Sequence, residues 1–308
     1  MRLAVALLAF LASLGAASAQ QLEFRSAILT GDIRLSYRWL DHGGRQFDAA
    51  FTLTREAVRE AEASFRDFDS EAMARFVEAE MRGEIERTAG GARVTLRRTP
   101  IGLAWSIEGR DQAAIDALGR RLHERLKGSQ ATYLARHQRR QVDEHRFMID
   151  FAAATRVQQG PLRAVARALG EARGIANTDR ARIAHALAFF QIIPYDPLQP
   201  TARQGGDFLP APALLAQNRG DCDSKSVALA AVLRGYVPSR KLAIVTMPDH
   251  AILAVDLAPE PGDRTIRTSG RTLVALEAAG PALVPVGQVG PDTERRLSAR
   301  GVEVWPLD

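Results

Sequence analysis

Cysteine is almost missing from this chain: its 308 residues contain one thiol, Cys222. A lone cysteine closes no internal disulfide, runs no dithiol redox cycle, which needs a resolving partner, and builds no multi-thiolate metal site. Histidine is also scarce, with six residues scattered along the chain and no pair at zinc spacing, so no metal site and no cofactor are expected. No calcium loop is recognisable. Aromatic residues make up 6% of the chain, and none of them interleaves with a basic block. The net charge of +5 and the pI near 9.8 therefore read as an arginine-rich solvated surface, not a nucleic-acid interface. Beyond the N-terminus no window of about 18 residues is free of charge, which argues against a helical membrane span there.

The N-terminus does carry an apolar run. Arg2, the stretch Leu3 to Leu14 and the small residues Ala17-Ser18-Ala19 have the layout of a secretory signal, expected to occupy 1–19 and to leave a mature chain starting near Gln20 or Gln21. The expected product is exported, periplasmic or secreted, with no stable membrane span after cleavage; the alternative is that the apolar run stays on as an uncleaved anchor. An oxidising compartment favours paired cysteines, so an unpaired one there points to a reactive thiol or an intermolecular bridge, the alternative being a buried, inert cysteine that serves as a small hydrophobe.

The mature length suits two domains. Alternation at Ile33, Leu35, Tyr37 and Trp39, a turn at Asp41-His42-Gly43-Gly44, and then Phe47, Ala49 and Phe51 predict a β-hairpin. Helical spacing follows over 54–88 with a break near Asp69-Ser70. A second hairpin turns at Pro100, and a helix over 111–127 carries Ile115, Leu118, Leu122 and Leu126 on one face. These elements predict a small α+β unit over 20–128. Residues 129–176 read as a helical connector and 177–308 as the second domain. In that domain Asn177-Thr178-Asp179 starts a helix, and a loop rich in proline and glycine, from Pro197 through Pro200, Gly205 and Gly206 to Pro212, has the character of a cleft wall. A buried helix at 223–234 precedes strand-like runs at 241–247, 251–257 and 271–276, an α+β order with a helix ahead of an antiparallel sheet.

Cys222 sits in Gly220-Asp221-Cys222-Asp223-Ser224-Lys225, at the start of that helix, where the positive end of the helix favours thiolate. A cysteine nucleophile needs a base, and the base needs a group that orients its ring. His250 is the one histidine downstream. Asp256 lies six residues along the same extended run, roughly 20 Å away, too far to orient it. Glu277, ending the next strand-like run, has the reach. Cys222, His250 and Glu277 are thus the candidate catalytic set. The acidic neighbours Asp221 and Asp223 shape the site and oppose thiolate formation, so His250 must supply much of the activation.

The blocks Phe189-Phe190-Gln191-Ile192-Ile193-Pro194-Tyr195, Phe208-Leu209-Pro210, Gly220-Asp221-Cys222-Asp223-Ser224-Lys225, His250-Ala251 and Gly270 to Glu277 resemble, in that order, the bacterial transglutaminase-like cysteine peptidases. The resemblance covers roughly 180–290. It implies a papain-like fold with a central helix packed on an antiparallel sheet, Cys222 as nucleophile, His250 as general acid/base and Glu277 as orienting carboxylate. It also implies Gln191 or the Cys222 backbone N–H as oxyanion donor; with the export signal, the expected substrate is a peptide or protein of the cell envelope, cleaved in preference to being cross-linked, since transfer to an amine needs a site that excludes water. Two positions depart from the pattern: glutamate replaces the usual aspartate at Glu277, and Ile252 replaces the aromatic residue that commonly follows the His-Ala pair. The rival expectation is a catalytically silent fold acting as a peptide-binding or scaffold module.

Overall fold

The computed structural model describes residues 21–66, 69–99, 102–143, 147–198, 208–268, 270–280 and 283–307. The expected leader at 1–19, the Pro100 turn and Pro200, Gly205 and Gly206 of the expected cleft wall lie outside the described residues. The fold is mixed α+β with antiparallel sheets.

The chain opens with a three-stranded antiparallel meander, β1 Gln21–Leu29, β2 Asp32–Leu40 and β3 Gln46–Thr54. β3 alternates strictly, burying Phe47, Ala49, Phe51 and Leu53 while their neighbours face out. The expected hairpin is β2–β3; β1 is added at its edge, where mostly exposed side chains leave little apolar alternation to read. Helices α1 Arg55–Arg66 and α2 Ser70–Thr88 follow, α2 being capped by Asp69, which accepts from Ala72 N–H. β4 Arg93–Thr99 and β5 Gly102–Glu108 make the second hairpin, and α3 Gln112–Arg136 runs on past the expected helix end.

The expected helical connector contains a short hairpin, β6 Arg139–Gln141 with β7 Phe147–Ile149, before α4 Phe151–Gln159 and α5 Arg163–Gly170. Strands of three residues are too short to show a period. Next come α6 Asp179–Gln191, α7 Ala211–Gln217 and α8 Cys222–Tyr236. α7 falls in the region read as loop: Pro212 sits in its first turn, where a missing N–H costs nothing, so the residue taken as a breaker opens a helix instead.

The remaining strands are β8 Leu242–Met247, β9 His250–Val255, β10 Thr265–Thr268 and β11 Arg271–Leu276, then helix α9 Pro291–Leu297 and strand β12 Glu303–Pro306. They form a five-stranded sheet in the order β10-β11-β9-β8-β12. The edge strands β10 and β12 escape sequence reading because each is four residues long and only partly buried. One face, with Ile244, Ala251, Leu253, Val274 and Leu276, packs into the core shared with α8; the other, with Val245, Ile252, Ala254 and Ala275, is covered by Val289, Leu297 and Val302. Burial on both faces explains why β8 and β9 read as continuous apolar runs.

The cores cut the chain differently from the division at 128 and 176. Leu35, Tyr37, Trp39 and Phe51 belong to the same core as α4–α8 and the five-stranded sheet, whereas Met73, Val77, Met81, Leu118, Leu122, Tyr133 and Leu134 form a second, smaller core. The unit with its own core is therefore α2–β4–β5–α3, inserted between the meander and the rest. The physical cause is an aromatic lock: Phe189 of α6 meets Tyr37 edge-on at 5.0 Å and Trp39 at 5.3 Å, and Tyr37 Oη donates to the Leu215 carbonyl at 2.8 Å.

Candidate active site

α8 begins at Cys222 because Asp221 is extended and its carboxylate accepts from Ser224 N–H at 2.9 Å, an N-cap bond at the positive helix end. The approach to this cap is stitched to the segment after α6: Gly220 N–H donates to the Pro194 carbonyl at 3.2 Å and Asp196 N–H to the Gly220 carbonyl at 3.1 Å. Downstream of Cys222, every residue from Ser224 to Leu233 is buried, so the helix is the centre of the main core and holds its first residue rigidly.

β9 starts at His250, paired with Met247 across a tight turn in which Asp249 has positive φ. β11 lies on the other side of β9 with Leu276 opposite Leu253, so the chain leaving β11 runs back toward the start of β9. There His250 Nε2 lies 2.6 Å from Glu277 Oε1. An ionised carboxylate only accepts, so Nε2 carries the proton and Nδ1 is left as the basic nitrogen. Glu277 Oε2 also accepts from Gly290 N–H at 3.4 Å. Asp256 stands apart, beyond the end of β9, with its backbone bonded to Lys241 and Arg240.

Cys222 and His250 open on one cleft of about 660 Å³, walled by Tyr195, Leu198, Met148 of β7 and Met247. The thiol is 8% exposed. Burial pushes its pKa up, Asp223 and Asp221 push it further, and backbone hydrogen bonds from Ala251 and Asp223 oppose them. Asp223 Oδ1 is 3.9 Å from Sγ. The larger influences thus favour the protonated thiol, against the pull of the helix N-terminus.

Gln191 has a placement different from an oxyanion donor. It is fully buried, and its Nε2 donates to the carbonyls of Glu277 at 2.7 Å and Val284 at 2.8 Å. Both donors of the amide are used, leaving none for a substrate. The Cys222 backbone N–H, in the first helical turn, has no intrahelical partner and is the donor that fits the role.

Two residues of the site were given no role by sequence. Lys225 is fully buried and donates from Nζ to the Ile193 carbonyl and to the Ala279 carbonyl at 2.5 Å, tying α8 to the segments that follow α6 and β11. Burial lowers its pKa to about 7, against the pull of Asp221 and Cys222. A cation inside an apolar helical run was the available signal. His42 contributes from the β2–β3 turn, with Nε2 at 2.9 Å from Gln191 Oε1, and no sequence signal pointed to it. Among the described residues no group of three His, Cys, Asp or Glu side chains is placed to hold a metal ion, and no helix is long and apolar enough to cross a membrane. No family model, curated protein or solved structure matches the chain.

Proposed function

We propose that the chain is an exported thiol hydrolase that cleaves an amide bond in a peptide or protein of the cell envelope, with Cys222, His250 and Glu277 as its catalytic residues. The observation that carries this reading is the 2.6 Å contact of His250 Nε2 with Glu277, behind a cleft lined by both His250 and Cys222. The transglutaminase-like resemblance, with a central helix led by the cysteine and a sheet bearing the other two residues, supports the same reading.

In this mechanism Sγ attacks the amide carbonyl carbon while its proton passes to His250 Nδ1. The negative oxygen that forms is met by the Cys222 backbone N–H at the helix N-terminus. Collapse breaks the C–N bond as His250 returns the proton to the leaving nitrogen, leaving a thioester on Cys222 and a free amine. Water then attacks the thioester, gives one proton to His250, and the acid departs as Sγ is reprotonated. Glu277 holds the ring in the productive tautomer and balances its charge while protonated. Gln191 and Lys225 act on this set as positioning residues, through the carbonyls of Glu277 and of Ala279 that follows it.

A second reading, a catalytically silent peptide-binding module, draws on the burial of Cys222 and the upward push on its thiol. The two separate on alkylation of Cys222 by iodoacetamide across pH, followed by peptide-library cleavage. The hydrolase is expected to react with an apparent pKa well below 8.5 and to lose that behaviour in His250→Ala. A thiol equally inert in both proteins puts the binding module in its place.

A further inference from the structure

Gln191 spends every polar atom of its side chain. Nε2 holds the Glu277 and Val284 carbonyls, which fixes which end of the amide is nitrogen, and Oε1 faces His42 Nε2 at 2.9 Å. An amide oxygen accepts only, so His42 donates from Nε2. The turn that carries His42 is itself braced: the Asp41 carboxylate accepts from Gly43 N–H at 2.8 Å, Arg45 N–H at 2.9 Å and Arg45 Nε at 2.9 Å. Behind Gln191 there is no room to drift, since Gly280 has φ +65° and a Cβ there would stand 2.4 Å from the Gln191 carbonyl oxygen.

We propose that His42 is a positioning residue of the Cys222 site. From the meander it locks Gln191, Gln191 locks the Glu277 backbone, and Glu277 in turn sets the His250 ring. The Glu277–Gly280 segment is clamped at both ends, by Gln191 on the Glu277 carbonyl and by Lys225 on the Ala279 carbonyl. The meander is thus a working part of the site and not a detachable leader to it. The consequence for thiol chemistry rests on the hydrolase reading; the consequence for the His250 ring does not.

Two measurements on the full mature chain test this. The first is the downfield N–H proton resonance of His250 in histidine-labelled protein, assigned by its loss in His250→Ala. The second is the part of the Cys222 alkylation rate that depends on His250. His42→Asn keeps a polar turn residue but sets its donor short; His42→Gln restores a donor near the Nε2 position. In His42→Asn the resonance is expected to broaden or shift, with the His250-dependent rate down by about tenfold to a hundredfold. His42→Gln is expected to recover both, at a melting temperature matched to His42→Asn. An unchanged His250 resonance in folded His42→Asn overturns the proposal, as does failure of His42→Gln to recover it at equal stability. If the resonance follows His42 while wild-type alkylation never depends on His250, the hydrolase reading falls and the positioning role stands.

Discussion

The main body and the inserted α2–β4–β5–α3 unit differ in what they bury. In the main body, Phe189, Phe190, Trp39 and Leu229 are fully buried and polar groups are carried inward on purpose, Lys225 and Gln191 among them. The insert has a small core with no such buried polar braces among the described residues, and its charges pair at the surface, with Arg98 bridging Glu71 at 2.7 Å and Glu78 at 2.5 Å, and Arg82 meeting Glu78 at 2.6 Å. Exposed ion pairs contribute little each, whereas a buried aromatic contributes several kcal/mol. The lesson is that precise positioning is found where water is excluded: the body that holds the thiol is the dry one.

The largest break in this contrast is expected from Phe189→Ala, which empties the junction of the meander with α6 and should cost about 3–5 kcal/mol. Its chemical denaturation midpoint should fall and the His250-dependent reactivity of Cys222 should fall with it. Leu122→Ala, a fully buried position in the insert's core, should cost about 2–5 kcal/mol there while leaving thiol reactivity near wild type. Equal loss of thiol reactivity in both variants would make the two bodies one cooperative unit.

Next comes an acid limb owned by the main body. His185 is 3% exposed, neither ring nitrogen has a partner among the described residues, and burial lowers its pKa from 6.5 to about 4. Between those values the unfolded chain binds a proton that the native state does not, so stability falls as pH drops through this window, by about 3 kcal/mol in total. Urea denaturation from pH 7 to pH 4 should show that slope, and His185→Leu should flatten it.

Lys225 acts at the other end. Its pKa of about 7 in the fold lies below its ordinary 10.5, so above pH 7 the unfolded state holds the extra proton and stability rises with pH. The gain is at most about 1.4 kcal/mol per pH unit. It should be read between pH 7 and 8.5, below the range where an ordinary thiol ionises. Lys225→Met should be less stable throughout, since two carbonyls lose a donor, and should lack the rise. The smallest effect is expected from Arg98→Ala in the insert: a slight drop in melting temperature at low salt that disappears in 1 M salt. A drop that survives salt would mean the guanidinium acts by packing.

How much was legible follows from the range of each interaction. α2, α3, α6 and α8 announce themselves through caps at Asp69, Asp111, Thr178 and Asp221 and through local spacing. β2, β3, β8 and β9 do so through their apolar residues. What escaped was short or borrowed: β12 pairs along the edge of β8, and β6–β7 is a hairpin of three-residue strands. At the site, Cys222, His250 and Glu277 could be singled out as candidates by elimination among few residues. Gln191 was assigned from its place beside Ile192-Ile193-Pro194, but its donors went to carbonyls that lie 86 and 93 residues away, which no local pattern records.

By itself the sequence determined the α+β class, most long elements, and a single thiol at a helix start, because capping, periodicity and composition act within a few residues. Tertiary structure alone decided that the meander belongs to the main core, that Glu277 reaches His250, and that His42, Gln191 and Lys225 brace them. Those outcomes depend on aromatic packing and on buried hydrogen bonds between distant segments, whose partners are set only when the chain closes on itself.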